Sequence, residues 1–347
     1  MIEFKDIVGL SEPLKRLIEV VAEGIGGVAR PILTRKNADA KAYEIKTVAE
    51  AIAESQKLLG PVKYDGGEIV IESDQNKGVT ELPEATLDRR VISRMAYQEA
   101  KRQENLERIT QYAAEDFDGN EEIGSERPDS DWTARFFRIA EDITTEEMQA
   151  LWGKVLAGEV KRPGSYSLRT LDVLKNISQK EAEIFVRVAR ISFLSGGTVF
   201  VPNPDRGEFL MEHFGITFRD LLLLREIGLL APTDLEFSLS PVEEDDQSVF
   251  TCGGSCVLID RPAGTPKQLI QAVVFTKIGK QLLQLVDRTP ADPQYIEKFA
   301  TSFQTPGVVV KSGMIVQWQG EGFRHVGLHE VPGNKPKPET DEGKPNQ

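Results

Sequence analysis

Apolar residues recur four and three apart from early in the chain. Leu14, Ile18, Val21, Ile25, Val28 and Ile32 form one seam of a helix predicted from about Leu10 to Leu33. Glu12, Lys15, Arg16, Glu19 and Glu23 lie opposite, while Gly24, Gly26, Gly27 and Pro31 weaken the helix and predict a break near Gly26. Ala38, Ala42, Ile45, Ala49 and Ile52 repeat the spacing in a second helix, Ala38 to Leu59, which pairs with the first as a hairpin. Gly60-Pro61 stops it. Residues 60–84 read as a mobile, polar insertion in which Ile69, Val70 and Ile71 predict one short strand. A long charged helix follows from Ala85 to Phe117, apolar at Leu87, Val91 and Met95 near one end and at Leu106, Ile109 and Ala113 near the other.

The chain then turns acidic and reads as a solvated linker up to Asp131. Trp132, Phe136, Ala140 and Ile143 mark the next helix, and Thr144 with Glu147 has the spacing of a capping box. Met148, Leu151, Trp152, Val155 and Leu156 form a one-sided stripe that Gly158 and Pro163-Gly164 are expected to end. Ser167 caps a short helix through Leu168, Leu171 and Leu174, and Ser178 with Glu181 makes a second box ahead of Ala182, Phe185, Val188 and Ala189. Beyond Ser195-Gly196-Gly197, Thr198 to Pro202 predicts a strand, Phe209 to His213 a short helix, and Thr217 to Ile227 a strongly apolar, buried helix stopped by Gly228. Strands follow from Leu229, with Ser248 to Asp260 folding about Gly253-Gly254 and another strand at Leu269 to Phe275. Thr276 caps a helix to about Val286, Tyr295 to Phe303 is helical, and Val308 to Val326 is a terminal hairpin.

This pattern predicts an α+β chain with mainly helical N-terminal and central modules. Its divisions are 1–117, an acidic linker at 118–131, a compact helical module at 132–194, an α+β domain at 195–290, a helix and hairpin at 291–330, and a disordered tail at 331–347. A length of 347 residues with 40% hydrophobic content supports two or three cores. Forty-two Lys and Arg against 55 Asp and Glu give a net charge of -13, which disfavours broad nucleic-acid binding. Two cysteines, no export signal and no long uncharged apolar run point to a cytoplasmic protein.

Chemistry is sparse. Cys252 with Cys256, and His325 with His329, share a spacing that makes them weak zinc candidates, but core packing accounts better for cysteines astride a strand turn. Gly24-Ile25-Gly26-Gly27-Val28-Ala29 spells a dinucleotide string without the strand that must precede it, so a helix break or close helix packing explains it. No nucleophile is paired with a base, and no cofactor is expected. The N-terminal seam, Leu14 to Ile32, has two readings: a packed hairpin, or a surface that meets a membrane or another protomer.

Arg225-Glu226-Ile227-Gly228-Leu229-Leu230, with Phe275-Thr276-Lys277-Ile278-Gly279-Lys280-Gln281-Leu282 after an insertion, resembles a winged-helix domain. This makes 195–290 winged-helix-like. Its second helix would offer DNA Arg219 and Arg225, but Glu243, Glu244, Asp245 and Asp246 would repel phosphate, which favours a protein-binding winged helix. Ile7-Val8-Gly9-Leu10-Ser11, the run Leu151 to Glu159 containing Trp152, Leu156 and Gly158, and the run Pro163 to Leu171 containing Gly164, Ser167, Leu168 and Arg169 resemble the bacterial DUF2806 family over about Met1 to Val286. That family brings no established reaction, so these motif residues are read as structural. More distantly, the N-terminal glycine-containing helix and the tryptophan-leucine-alanine helix are similar to the abortive-infection alpha family. The expected function is therefore non-enzymatic recognition of a protein partner or a second copy, in bacterial stress response or phage defence. The alternatives are a DNA-binding regulator and an enzyme whose site the sequence does not display.

Overall fold

The computed structural model describes residues 11–25, 62–65, 68–71, 87–117, 123–203, 205–288, 291–319 and 322–332. The predicted break near Gly26, the helix from Ala38 to Leu59 and the tail after residue 332 lie outside them. The chain divides into two compact units, residues 1–168 and 169–347. The boundary falls inside the run read above as one helical module.

The first unit is built from α1 (Glu12–Ile25), the antiparallel pair β1 (Val62–Asp65) and β2 (Glu68–Ile71), α2 (Leu87–Glu115), α3 (Ser130–Ala140) and α4 (Glu146–Lys161). Helix α4 is its centre because its apolar surface is far wider than a single stripe: Trp152, Val155, Leu156, Ala157 and Val160 are all fully buried. Phe136 lies against Trp152 at 5.3 Å between ring centroids and stacks on Trp132 at 5.0 Å. Gly153 lets α4 approach α2 closely; a Cβ there would stand 2.5 Å from the Tyr112 Cβ and 3.1 Å from the Ile109 carbonyl oxygen. Of the apolar sets of α2, the C-terminal one, Leu106, Ile109 and Ala113, is buried together with Asn105 and Thr110, while Leu87 and Met95 are exposed.

Several expectations for this unit change. Ile18 and Val21 are buried with Leu17 and Val20 in the unit's own core. Leu14 and Ile25 are half-buried, and Val28 and Ile32 lie outside the described residues. Gly24 serves close packing, since a Cβ would stand 2.0 Å from the Phe137 ring. The described part of the acidic stretch is mostly exposed, with Pro128 buried, Arg127 paired to Glu19 at 3.0 Å, and Asp129 capping α3 by accepting from the Trp132 amide. The capping box at Thr144 does not form. Helix α4 starts after Thr145, whose side chain makes no cap bond; the buried Gln149 amide donates to the Ile143 carbonyl and to Asn105 Oδ1. Nor does Gly158 end the helix, which continues to Lys161.

The second unit holds α5 (Leu168–Asn176), which opens at the boundary, α6 (Gln179–Arg190), β3 (Phe193–Ser195), β4 (Thr198–Pro202), α7 (Glu208–Phe214), α8 (Phe218–Glu226), β5 (Leu235–Leu239), β6 (Asp246–Cys252), β7 (Ser255–Arg261), β8 (Gln268–Val274), α9 (Lys277–Leu283), α10 (Pro293–Thr301), β9 (Val309–Gln319) and β10 (Gly322–Glu330). The eight strands form one antiparallel sheet in the order β10-β9-β7-β6-β3-β4-β8-β5. Gly253 and Gly254 both take positive φ, as a tight hairpin between β6 and β7 requires. Strand β9 pairs with β7, so the hairpin read as a separate C-terminal piece belongs to the same sheet. Phe193, Phe200, Phe250 and Phe303 are fully buried around Phe299 of α10, whose ring stacks on Phe193 at 3.8 Å.

Two capping boxes frame the middle of this unit, of which the first was predicted. Ser178 and Glu181 form a reciprocal box on α6, and Thr217 with Asp220 forms another on α8. Helices α7 and α8 are joined by the short turn Gly215-Ile216-Thr217, with Gly215 at φ +61°. After α8, Gly228 at φ +79° reverses the chain so that Leu230 bridges Phe275 and the Thr276 amide donates to the Leu229 carbonyl at 3.0 Å. The described residues thus give an α+β fold of ten helices, this eight-stranded sheet and the small β1–β2 pair. Among them, no helix is long and apolar enough to cross a membrane.

Candidate recognition surface

The apolar run Leu221 to Leu224 gives α8 more hydrophobic surface than one packed side can cover. Leu221 and Leu224 are buried, whereas Phe218 is 64% and Leu222 42% exposed. The expectation of a buried helix therefore fails on the outer face. Met211 of α7 is also exposed, at 52%. The exposed charges around this face are mixed: Glu208, Glu212 and Glu226 against Arg206 and Arg219. Asp220 is engaged by the cap and by Arg187 at 3.7 Å, and Arg187 also donates to the Gly215 carbonyl at 3.2 Å, fixing the turn between the helices.

A polar clasp supports one flank of α8. Arg225 pairs with Asp234, and Asp234 accepts from Asn203 Nδ2 at 3.0 Å. The Asn203 amide in turn donates to the Gln271 carbonyl at 2.7 Å, joining the loop after β4 to β8. Phe218, Leu221 and Arg206 share with these residues the lining of an open cleft of about 580 Å³. Arg206 holds φ +59°, a left-handed conformation that is uncommon for a residue with a side chain. The clasp contains no paired nucleophile and base. Sequence reading missed it, because Asn203, Arg225 and Asp234 meet only through the sheet topology.

The family motif around Trp152 is structural in its geometry. Glu159, 2% exposed, accepts from the amides of Gly164 at 2.6 Å and Tyr166 at 2.9 Å, and so holds the Pro163-Gly164-Ser165-Tyr166 turn. Gly164 takes φ +85°, and the Tyr166 ring covers Gly158, where a Cβ would stand 2.9 Å from it. Leu151, Ser167 and Leu168 are half-buried and Arg169 is exposed. Glu159 was also missed; its signal is a lone carboxylate between Leu156 and Val160 on the apolar side of α4. Burial raises the Glu159 pKa above its ordinary value, outweighing the amide hydrogen bonds that lower it. Its contribution to stability is therefore present below the unfolded-state pKa and lost as pH rises through the folded one. Glu159→Gln removes this titration. As pH rises upward from the ordinary carboxylate range, the melting temperature of wild type relative to Glu159→Gln should fall. A flat difference would mean that Glu159 is not carrying the shift.

The zinc candidates do not converge. Cys256 lies on β7 and His325 and His329 on β10, with β9 between them, so the outer strands are about 10 Å apart while zinc bonds are near 2 Å. Among the described residues, no three His, Cys, Asp or Glu side chains form a metal-holding group. Both cysteines are buried in the sheet core, and burial pushes the Cys252 thiol up to about 12. His329 engages Ser312 Oγ at 3.2 Å and the Gly327 carbonyl at 3.1 Å.

A family model described as protein of unknown function (DUF2806) matches residues 89–300, which run from α2 to α10. No curated protein and no solved structure matches. The match starts later and ends later than the resemblance read from the motifs, and it takes in both the Glu159 turn and the α8 face. Since it spans more than half of its length, the chain belongs to the DUF2806 family.

Proposed function

We propose that the chain acts by recognition, through the winged-helix module expected at residues 195–290 together with α6, whose helix α8 takes a protein partner. The carrying observation is the exposed apolar pair Phe218 and Leu222 on that helix. Supporting the module are its order, α6, β4, α7, α8, β5 and β8, and the antiparallel run β4-β8-β5, with β6 and β7 inserted between the wing strands. The glycine turn between α7 and α8 fits a helix-turn-helix. In a DNA reader the second helix supplies cations and polar groups to a groove; here it supplies Phe218, Leu222 and Glu226 beside one exposed arginine, Arg219. Exposed aromatic and aliphatic anchors suit a protein interface. Nothing in the described residues or the family match favours a role in phage defence over other settings for such recognition.

Titration of the full chain with labelled duplex DNA tests the choice between partners. The expected affinity is no tighter than the about 10⁻⁶–10⁻⁴ M of non-specific binding, and indifferent to Arg219→Glu. Nanomolar binding that Arg219→Glu weakens would replace the protein partner by DNA.

A further inference from the structure

The cleft beside α8 contains groups that the fold itself leaves unsatisfied. Asn203 and Leu221, each 3% exposed, form its floor, while Phe218 and Arg206 stand open to solvent at its rim. One oxygen of Asp234 takes the Asn203 side-chain amide at 3.0 Å and the other takes Arg225, so Asn203 Oδ1 faces away from that carboxylate. Neither Asn203 Oδ1 nor Arg225 Nε, both buried, has a hydrogen-bond partner among the described residues. An acceptor and a donor flanking Asp234 are thus left over, a state that buried polar groups avoid unless something else meets them. Of the charged side chains that line the cleft, Arg225 and Asp234 neutralise each other. Nearby, Glu236 accepts from Gln271 Nε2 at 3.0 Å and Asp205 from the Phe209 amide at 3.2 Å, and Glu208 lies outside the lining. Arg206 has no hydrogen-bond or ion-pair partner among the described residues. It is also the one non-glycine residue among them with positive φ, followed by Gly207 at φ +99°. Left-handed residues of this kind gather at ligand sites, where the strain positions a side chain for use.

We infer that this cleft binds a mononucleotide, with the base against Phe218, its edge toward Asn203 Oδ1 and Arg225 Nε, and the phosphate on Arg206. A nucleobase carries a donor and an acceptor along one edge, so a single ring meets both leftover atoms. An exposed aromatic side chain is a stacking platform for that ring. The Arg206 guanidinium matches a phosphate through paired, charge-assisted hydrogen bonds. A volume of about 580 Å³ lies within the range of about 300–1,000 Å³ for small-molecule sites. The net charge of -13 does not decide the matter, because charges beyond about 8 Å are screened at physiological ionic strength and the lining itself carries the unpaired arginine. The inference does not rest on a protein partner for α8.

Isothermal titration calorimetry of the full chain with each common ribonucleoside monophosphate tests it. At least one is expected to bind with a dissociation constant of about 10–100 µM. Its nucleoside, and inorganic phosphate alone, should each bind at least about 10-fold more weakly. Arg206→Gly keeps the left-handed backbone without steric cost, and so keeps the fold, but should weaken nucleotide binding at least about 10-fold. Phe218→Ala should weaken it at least about 5-fold, and Arg219→Ala, outside the lining, by less than about 2-fold. Millimolar or absent binding of every mononucleotide overturns the inference. So does phosphate that binds as tightly as the nucleotides, or nucleotide binding that Arg206→Gly and Phe218→Ala leave unchanged. A short single-stranded RNA that binds at least about 10-fold more tightly than any mononucleotide would give the cleft to a strand and overturn it as well.

Discussion

Gly279→Ala is expected to destabilise the second unit by on the order of 3 kcal/mol, at the upper end of overpacking costs. A Cβ on Gly279 would stand 2.2 Å from the Leu229 carbonyl oxygen and 3.1 Å from the Phe275 ring. The obstacle is backbone, and it is held. The Leu229 carbonyl accepts from the Thr276 amide, while the Thr276 hydroxyl, which caps α9, also reaches the Gly228 carbonyl. Relief would require α9 to leave the Gly228-Leu229 turn, and with it the end of α8 and the Leu230–Phe275 bridge. Chemical denaturation followed by tryptophan fluorescence and far-UV circular dichroism measures the loss. A change below about 0.5 kcal/mol, the range of ordinary surface substitutions, would mean that α9 is not docked this way.

Trp152→Ala should cost the first unit about 3–5 kcal/mol, as truncation of a large buried aromatic does. Trp152 is fully buried at the middle of α4 and contacts the Phe136 ring, which in turn meets Trp132 and Phe137. Its removal leaves a cavity between α3 and α4 that neither helix can close, because Gly153 already brings α4 against α2 at van der Waals limits. Trp152→Phe should cost less than half as much, since the apolar contacts largely remain. Equal losses for the two variants in thermal and urea unfolding would contradict this packing.

Local signals were legible in the sequence wherever short-range chemistry decides the structure. Ser178-Glu181 and Thr276 cap the helices they were read to cap, and Gly253-Gly254 turns the hairpin it was read to turn. The strand at Ile69 to Ile71 was seen, but its partner Val62–Asp65 was not, although Val62-Lys63-Tyr64-Asp65 alternates apolar and polar over its four residues. Thr144-Glu147 matched a capping pattern that lost to the buried amide of Gln149, a contact made with a distant helix through Asn105. The same limit hid the site. Asn203, Arg225 and Asp234 are assembled by the order of β4, β8 and β5, and the exposure of Phe218 and Leu222 depends on which side of α8 the sheet and α6 occupy. The pairing of β9 with β7, which turns the predicted separate hairpin into part of one sheet, is likewise invisible to periodicity.

The most direct test of recognition through α8 places a photo-crosslinking amino acid at Phe218, at Leu222 and, as a control in the same unit, at exposed Lys175, in a bacterial host expressing the full chain. Irradiation is expected to yield one common protein adduct from positions 218 and 222 and none from 175. Nucleic-acid adducts from the α8 positions, or yields no higher than the control, would contradict the proposal.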